Sequence, residues 1–200
     1  MSKAREIWID NIKVFACILV ALGHFLQSMT ISGILAPSVW TEWFDTTVYS
    51  FHVPLFFLCS GYLYQKYSRI DTLQAWGTHI QKKAVVLGVP YVAFSLVTWL
   101  LKNIFSGSVN IENNGLFETL LIIPSSPYWF LYILFCMFLL IPTLRSKGMM
   151  IAMAVVVVIC KLLGACGIVT SIYIIDQFFA NILWFVAGMI LSKTGAMEKM

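Results

Sequence analysis

Six apolar segments, each 16 to 22 residues long, take up most of this 200-residue chain. A helix needs about 20 apolar residues to cross the hydrocarbon of a bilayer, so each segment is long enough, or nearly so, to span it. Charged residues make up only 11% of the chain, less than half of the roughly 25% typical of soluble domains. The sequence therefore predicts an all-α, polytopic transmembrane helix bundle in the plasma or inner membrane of the cell. The predicted spans are about 13–31, 48–64, 84–105, 128–143, 149–169 and 172–192.

Lysine and arginine residues lie almost entirely on one side of the predicted spans. Cytoplasmic loops of membrane proteins carry an excess of these residues, so their placement indicates the orientation. The opposite loops contain Glu42, Asp45, Glu112 and Glu118. Both chain termini are therefore predicted to be cytoplasmic. The eleven basic residues on the predicted cytoplasmic side are Lys3, Arg5, Lys13, Lys66, Arg69, Lys82, Lys83, Arg145, Lys147, Lys193 and Lys199.

The templates of soluble enzymes do not occur in this chain. It has no Gly-rich phosphate loop, no HExxH zinc helix and no nucleophile elbow. Its five cysteines lie in apolar runs without CxxC spacing, so we interpret them as small hydrophobic residues rather than as disulfide partners or metal ligands. We therefore expect no metal site. The cysteines are Cys17, Cys59, Cys136, Cys160 and Cys166.

A polar stripe runs along one face of the first predicted helix. Lys13 and His24 are eleven residues apart, which at about 100° per residue brings them to within about 20° of the same direction. Asp10, Cys17 and Gln27 share that face. Lipid penalises polar side chains, so the stripe must face protein or a water-filled cavity. A rise of about 1.5 Å per residue places His24 about 16 Å beyond Lys13, deep in the membrane.

The role of His24 has two interpretations at this point. A neutral imidazole can accept a proton from a hydroxyl group and later donate it, which suits general acid–base chemistry. Alternatively, the ring forms an interhelical hydrogen bond that serves packing. His52 lies near the outer end of the second span, at a depth comparable to that of His24, and the two could share a cavity. The alternative for His52 is an anchor at the membrane interface.

The segment 66–83 is predicted to be a cytoplasmic connector, with Leu73, Trp76 and Ile80 at helical spacing. One interpretation is a basic anchor that lies on anionic lipid headgroups. The other is a basic rim that binds a phosphorylated cytoplasmic donor.

Three stretches of the sequence, taken together, are similar to the acyltransferase-3 family of membrane acyltransferases, which O-acylate cell-surface polysaccharides and related glycans. The first is Lys13, ten intervening residues and His24, where the family has a basic residue, ten residues and a histidine in its first helix. The second is residues 51–63, which read FHVPLFFLCSGYL. The third is residues 127–131, which read PYWFL and match the opening of a later span of the family.

The resemblance implies that an acyl group, acetyl by default, passes from cytoplasmic acyl-CoA to a hydroxyl of a glycan or lipid-linked sugar. Acyl-CoA is then a co-substrate, and the resemblance implies no bound cofactor and no nucleic-acid partner. The chain contacts the lipid bilayer, and its oligomeric state is left open. His24 is implied as a general base or a transient acyl carrier. The family has two arginines three residues apart where this chain has His79 and Lys82. The resemblance implies His24 and Lys13 as catalytic, and His79, Lys82 and Lys83 occupy the positions of its donor-binding motif. The shared helix face and the comparable depth add Asp10 and His52 as supporting residues.

Family members carry further spans, so residues 1–200 are expected to form a single acyltransferase-like domain that is C-terminally truncated relative to the family. Two other functions stay open. In a transporter or flippase for a small solute or lipid, Lys161 and Asp176 would be counter-charges along the path, although they could equally form an ion pair buried for packing. The remaining alternative is an inactive truncated fragment.

Overall fold

A computed structural model describes residues 6–68, 70–108, 115–165 and 172–195. These residues form helices α1 (Ile7–Ile31), α2 (Val39–Tyr67), α3 (Leu73–Lys83), α4 (Val89–Ile104), α5 (Leu116–Leu121), α6 (Trp129–Leu140), α7 (Lys147–Ala165) and α8 (Tyr173–Thr194), and no strand occurs among them. The all-α class is therefore confirmed. The sequence-based assignments that lie outside the described residues are those of Lys3, Arg5, Arg69, Glu112, Cys166 and Lys199.

Within the described part of the chain, four helices are long and apolar enough to cross a membrane by length and composition. They are Ile7–Ile31, Leu73–Ile104, Lys147–Gly164 and Tyr173–Thr194. The predicted second span, 48–64, lies within α2, which has 29 residues but carries serine, tyrosine, histidine and proline along its middle. Between residues 48 and 64, every side chain of α2 except that of Ser50 is buried or half-buried. These side chains meet protein rather than lipid and need not be uniformly apolar.

The predicted fourth span, 128–143, was too long. The helix that forms there, α6, has 12 residues and a length of about 18 Å, well short of the roughly 30 Å of the hydrocarbon core. It ends at Leu140 because Pro142 disfavours the helical conformation in the residue before it, and Ile141 is accordingly extended, with φ −99° and ψ 113°.

The segment 66–83 is also different from the predicted connector. Only a short loop follows α2, and α3 then continues through a π-helical segment, Ala84–Gly88, directly into α4. Leu73 is 86% exposed, whereas Ile80 packs against the hydrophobic core. Most of the connector is therefore the beginning of a 32-residue helix that includes the third predicted span.

The centre of the bundle is the contact between α2 and α8. Gly61 faces the carbonyl oxygen of Phe185, and Gly188 faces that of Leu58, so each helix presents a glycine to the backbone of the other. Small residues permit this close approach, which drives helix association in lipid. The other helices are arranged around this pair: α1 packs along α2, α7 packs along α8, and α6 packs against α8 and the π-helical segment.

Candidate active site

A cavity of about 1210 Å³ lies at the end of the bundle that is predicted to be cytoplasmic. Its walls come from α1, α2, α3, the π-helical segment and α6, and Lys13, Lys82 and Lys83 line it, so we call it the lysine cavity. Asp10 and His79 line it as well. The structure thus brings together five of the seven site residues that the sequence singled out.

The three donor-binding candidates occupy different environments in the lysine cavity. His79 lies between two aromatic rings, 5.3 Å from that of Tyr64 and 5.8 Å from that of Phe138 between centroids. The ammonium group of Lys83 lies 4.0 Å from the centre of the Phe138 ring, a cation–π contact. Lys82 is exposed. Aromatic packing therefore fixes His79 and Lys83, while Lys82 presents its charge to solvent at the cavity.

A cluster around Glu6 joins the start of α1 to the end of α2 beside the cavity. The Glu6 carboxylate accepts hydrogen bonds from Lys66 Nζ at 2.8 Å, from the Tyr67 hydroxyl at 2.6 Å and from Trp8 Nε1 at 3.2 Å. The hydrogen bonds from Lys66 and then Tyr67 hold the pKa of Glu6 below its ordinary value. This cluster fixes the first turn of α1, so that Asp10, one turn further, is directed to the cavity.

The inner end of the lysine cavity is aromatic. Phe56 of α2 and Phe130 of α6 both line it, and their ring centroids are 5.5 Å apart. Phe57 packs against the same Phe130 ring at 4.9 Å. Together with Lys13 on α1, these residues show that the three stretches on which the family resemblance rests converge on one cavity, although they are distant in the sequence.

The two sequence-predicted histidines of the spans lie further along the bundle, on either side of Tyr49. The Tyr49 hydroxyl is 3.4 Å from His24 Nδ1 and 3.3 Å from Gln27 Oε1, to which it donates. The ring of Tyr49 meets that of His52 edge to face, with centroids 4.9 Å apart. His52 is only 2% exposed, so it packs inside the bundle rather than serving as an anchor at the surface. We call His24, Gln27, Tyr49 and His52 the histidine cluster.

The lysine cavity and the histidine cluster are separate along the membrane normal. Neither His24 nor His52 lines the cavity. On α2, His52 is one helical turn beyond Phe56 at the inner end of the cavity, and on α1, His24 lies eleven residues, or about 16 Å, beyond Lys13. The site therefore has a basic part at one end and an imidazole part deeper in the bundle, linked by the polar face of α1.

Sequence reasoning missed Tyr49 and Glu6. Tyr49 could have been found, because Asp45, Tyr49 and His52 follow the i, i+4, i+7 spacing of a single helix face. Glu6 could not, because its partner Lys66 is 60 residues away in the sequence and no local pattern relates the two.

The charged residues of the last two spans do not pair with each other in the described structure. Lys161 of α7 donates a hydrogen bond to the backbone carbonyl of Ala180 on α8. The Oδ1 atom of Asp176 is buried and makes no hydrogen bond to any described residue. The alternative of a buried Lys161–Asp176 ion pair is therefore wrong, because the Lys161 ammonium group donates its hydrogen bond to the α8 backbone instead.

The fold and the site define a membrane helix bundle with a lysine-lined cavity at one end and an intramembrane histidine aligned with it. The chain belongs to the acyltransferase domain family, whose model matches residues 6–200. Over 145 residues it is 29% identical to the nodulation protein NolL of Mesorhizobium japonicum. That match covers 71% of this chain and 36% of NolL, so the chain spans little more than a third of the length of that relative. No solved structure gives a significant match. The family resemblance seen in the sequence is thus confirmed.

Proposed function

We propose that this chain carries out acyl transfer across the plasma or inner membrane, as a multi-pass membrane acyltransferase. The donor is cytoplasmic acyl-CoA, with acetyl as the acyl group, and the acceptor is a hydroxyl of a cell-surface glycan or related molecule. The observation that carries the proposal is the alignment on α1 of Lys13, which lines the lysine cavity, with His24 in the histidine cluster.

The size and charge of the lysine cavity support an acyl-CoA donor. Its volume of about 1210 Å³ is above the roughly 300–1,000 Å³ of ordinary small-molecule sites, as a large nucleotide-containing donor requires. Lys13, Lys82 and Lys83 supply positive charge for its phosphates, and lysine binds phosphate as a point charge rather than through arginine's planar fork. The phosphates would lie at the cavity mouth, and the thioester at the end of the long pantetheine arm would extend inward past Phe56.

The histidine cluster supports the chemical step. As a general base, His24 takes the proton of the acceptor hydroxyl while the oxygen attacks the thioester carbonyl. Collapse of the tetrahedral intermediate breaks the carbon–sulfur bond, and the departing CoA sulfur receives the proton from the imidazolium. As a transient acyl carrier, His24 would instead attack the thioester carbonyl with a ring nitrogen and expel CoA as its thiolate. The acceptor hydroxyl would then take the acyl group from the ring, and its proton would pass to the thiolate. Both routes require the donor arm to reach His24 from the Lys13 end.

The test uses membranes that contain the full chain and acetyl-CoA labelled in the acetyl group. The measurements are release of CoA thiol and appearance of label in the glycan and lipid fractions. We expect His24→Ala to abolish both while the amount of membrane protein is unchanged. Ser28→Ala, one turn further along the polar face of α1, is the matched control and should retain activity.

Two outcomes would contradict the proposal. A His24→Ala variant as active as the parent would exclude His24 from the chemistry. Uptake of a solute by vesicles without consumption of acetyl-CoA would favour the transporter alternative instead.

A further inference from the structure

We infer that Tyr49 is a positioning residue that fixes the tautomer of His24, so that Nε2 is the nitrogen that carries the lone pair. The inference concerns the arrangement of the histidine cluster, and its catalytic meaning rests on the proposed function. It follows from two contacts of one hydroxyl group, at 3.4 Å to His24 Nδ1 and at 3.3 Å to Gln27 Oε1.

The direction of each hydrogen bond follows from the number of protons available. The Tyr49 hydroxyl has one proton, and the Gln27 carbonyl oxygen can only accept. For both contacts to be hydrogen bonds, the proton must go to Gln27, and the phenol oxygen then accepts from His24. Only a protonated Nδ1 can donate to it, so the neutral ring carries its hydrogen on Nδ1. Nε2 then has the free lone pair that a general base or an acyl carrier needs.

Packing on two sides holds Tyr49 in the position that these two hydrogen bonds require. Its ring lies against Gly23, where an added Cβ would be 3.3 Å from the Tyr49 Cε2 atom, so the glycine makes room for the ring. On the other side the ring contacts His52. His52 is in turn fixed by a 2.5 Å hydrogen bond between its Nδ1 and the carbonyl oxygen of Val48, one turn earlier on α2. His52 thus supports Tyr49 from behind, and Tyr49 orients His24.

The position of Tyr49 also decides which kinetic constant depends on it. Tyr49 does not line the lysine cavity, where the donor phosphates are proposed to bind. Losing its hydroxyl should therefore lower kcat and leave the KM for acetyl-CoA unchanged. Hydrogen-bond partners that orient a metal-ligating histidine contribute about 10–100-fold, and we expect Tyr49→Phe to lower kcat by a factor of that order.

The decisive measurement is ¹⁵N NMR of the chain with labelled histidine in lipid bilayers, which distinguishes Nδ1–H from Nε2–H directly. The chain has only three histidines, so removal of His52 and His79 in turn assigns the signal of His24. We expect the Nδ1–H form in the parent and the Nε2–H form in Tyr49→Phe. Gln27→Met should give the same change, because the Tyr49 proton would then turn toward His24 Nδ1.

The matched control is Tyr128→Phe, which removes a hydroxyl that accepts from Thr98 at 3.2 Å between α4 and α6. It should change neither the His24 tautomer nor kcat. An Nε2–H form in the parent, or a Tyr49→Phe variant with parental tautomer and kcat, would overturn the inference. An effect of Tyr49→Phe on the KM for acetyl-CoA alone would overturn it too. If no variant transfers acyl groups, the proposed function fails, while the NMR spectrum still decides the tautomer.

Discussion

Gly61 of α2 and Gly188 of α8 lie where the two central helices approach most closely, and replacing either by alanine would force them apart. A Cβ atom at Gly61 would be 1.9 Å from the carbonyl oxygen of Phe185, and one at Gly188 would be 2.0 Å from that of Leu58. Because real Cβ contacts are essentially never below 3.0 Å, the backbones must separate by at least about 1 Å. A gap of that size forfeits roughly a quarter to a half of the dispersion energy of the atoms around it.

The stability cost follows from this displacement. Overpacking of a close-packed contact costs about 1–3 kcal/mol, occasionally more, and a backbone–backbone contact has no side chain that can move aside. We therefore expect Gly61→Ala to lose about 3 kcal/mol. For a chain of this size, each kcal/mol lowers the melting midpoint by about 2–4 °C, so the midpoint should fall by about 6–12 °C.

The assay is thermal unfolding in detergent, in a background where the other four cysteines, including the exposed Cys17, are replaced by alanine. A thiol-reactive fluorophore then reports exposure of Cys59, which is fully buried on α2. The matched control is Gly164→Ala in α7, where an added Cβ would have no atom within 4 Å. That variant should melt at the parental temperature or slightly above it. A Gly61→Ala variant that melts with the parent and with Gly164→Ala would refute the close contact between α2 and α8.

Three further predictions concern the cavity and its supports. Lys82→Ala should raise the KM for acetyl-CoA about threefold to tenfold with little change in kcat. Lys147→Ala, outside the cavity, should change neither constant. Equal KM values for the two variants would contradict a phosphate-binding role for Lys82. Since the pKa of Glu6 is lowered, its ionised form stabilises the fold above the ordinary value of about 4.3, and this stabilisation is lost as the pH falls through the lowered pKa. The melting-midpoint difference between the parent and Glu6→Gln should therefore be present at neutral pH and shrink below about pH 4; a constant difference would exclude the carboxylate as its cause. Gln65→Leu removes two hydrogen bonds to the backbone of Leu144, of 2.9 Å and 2.7 Å. The free energy of unfolding should fall by about 1–3 kcal/mol, which the same melting assay measures. A parental midpoint would show that these bonds do not hold the end of α2.

Much of the fold could be predicted from the sequence because a membrane span depends on residues that are close together in the chain. Each predicted span overlaps a helix of the described structure, and the errors lie at helix ends, as at α6, which is shorter than its predicted span. The apolar pattern detects the part of a helix that meets lipid, so it missed the first nine residues of α2, where Ser38 and Thr41 form a capping box. Likewise, it separated α3 from α4, because the change from polar to apolar side chains at Lys83 marks a change of surroundings and not a break in the backbone.

The sequence by itself determined that this protein is a membrane helix bundle and that Lys13 and His24 share one face of α1, since helical periodicity depends only on residues near one another in the chain. Only the tertiary structure decided what that face meets: the lysine cavity at Lys13, and Tyr49 with His52 behind it at His24. Apolar helix faces in lipid do not select their neighbours by hydrophobicity. Close contacts between small residues and backbone, such as those of Gly61 and Gly188, select them instead, and those contacts join residues more than a hundred positions apart.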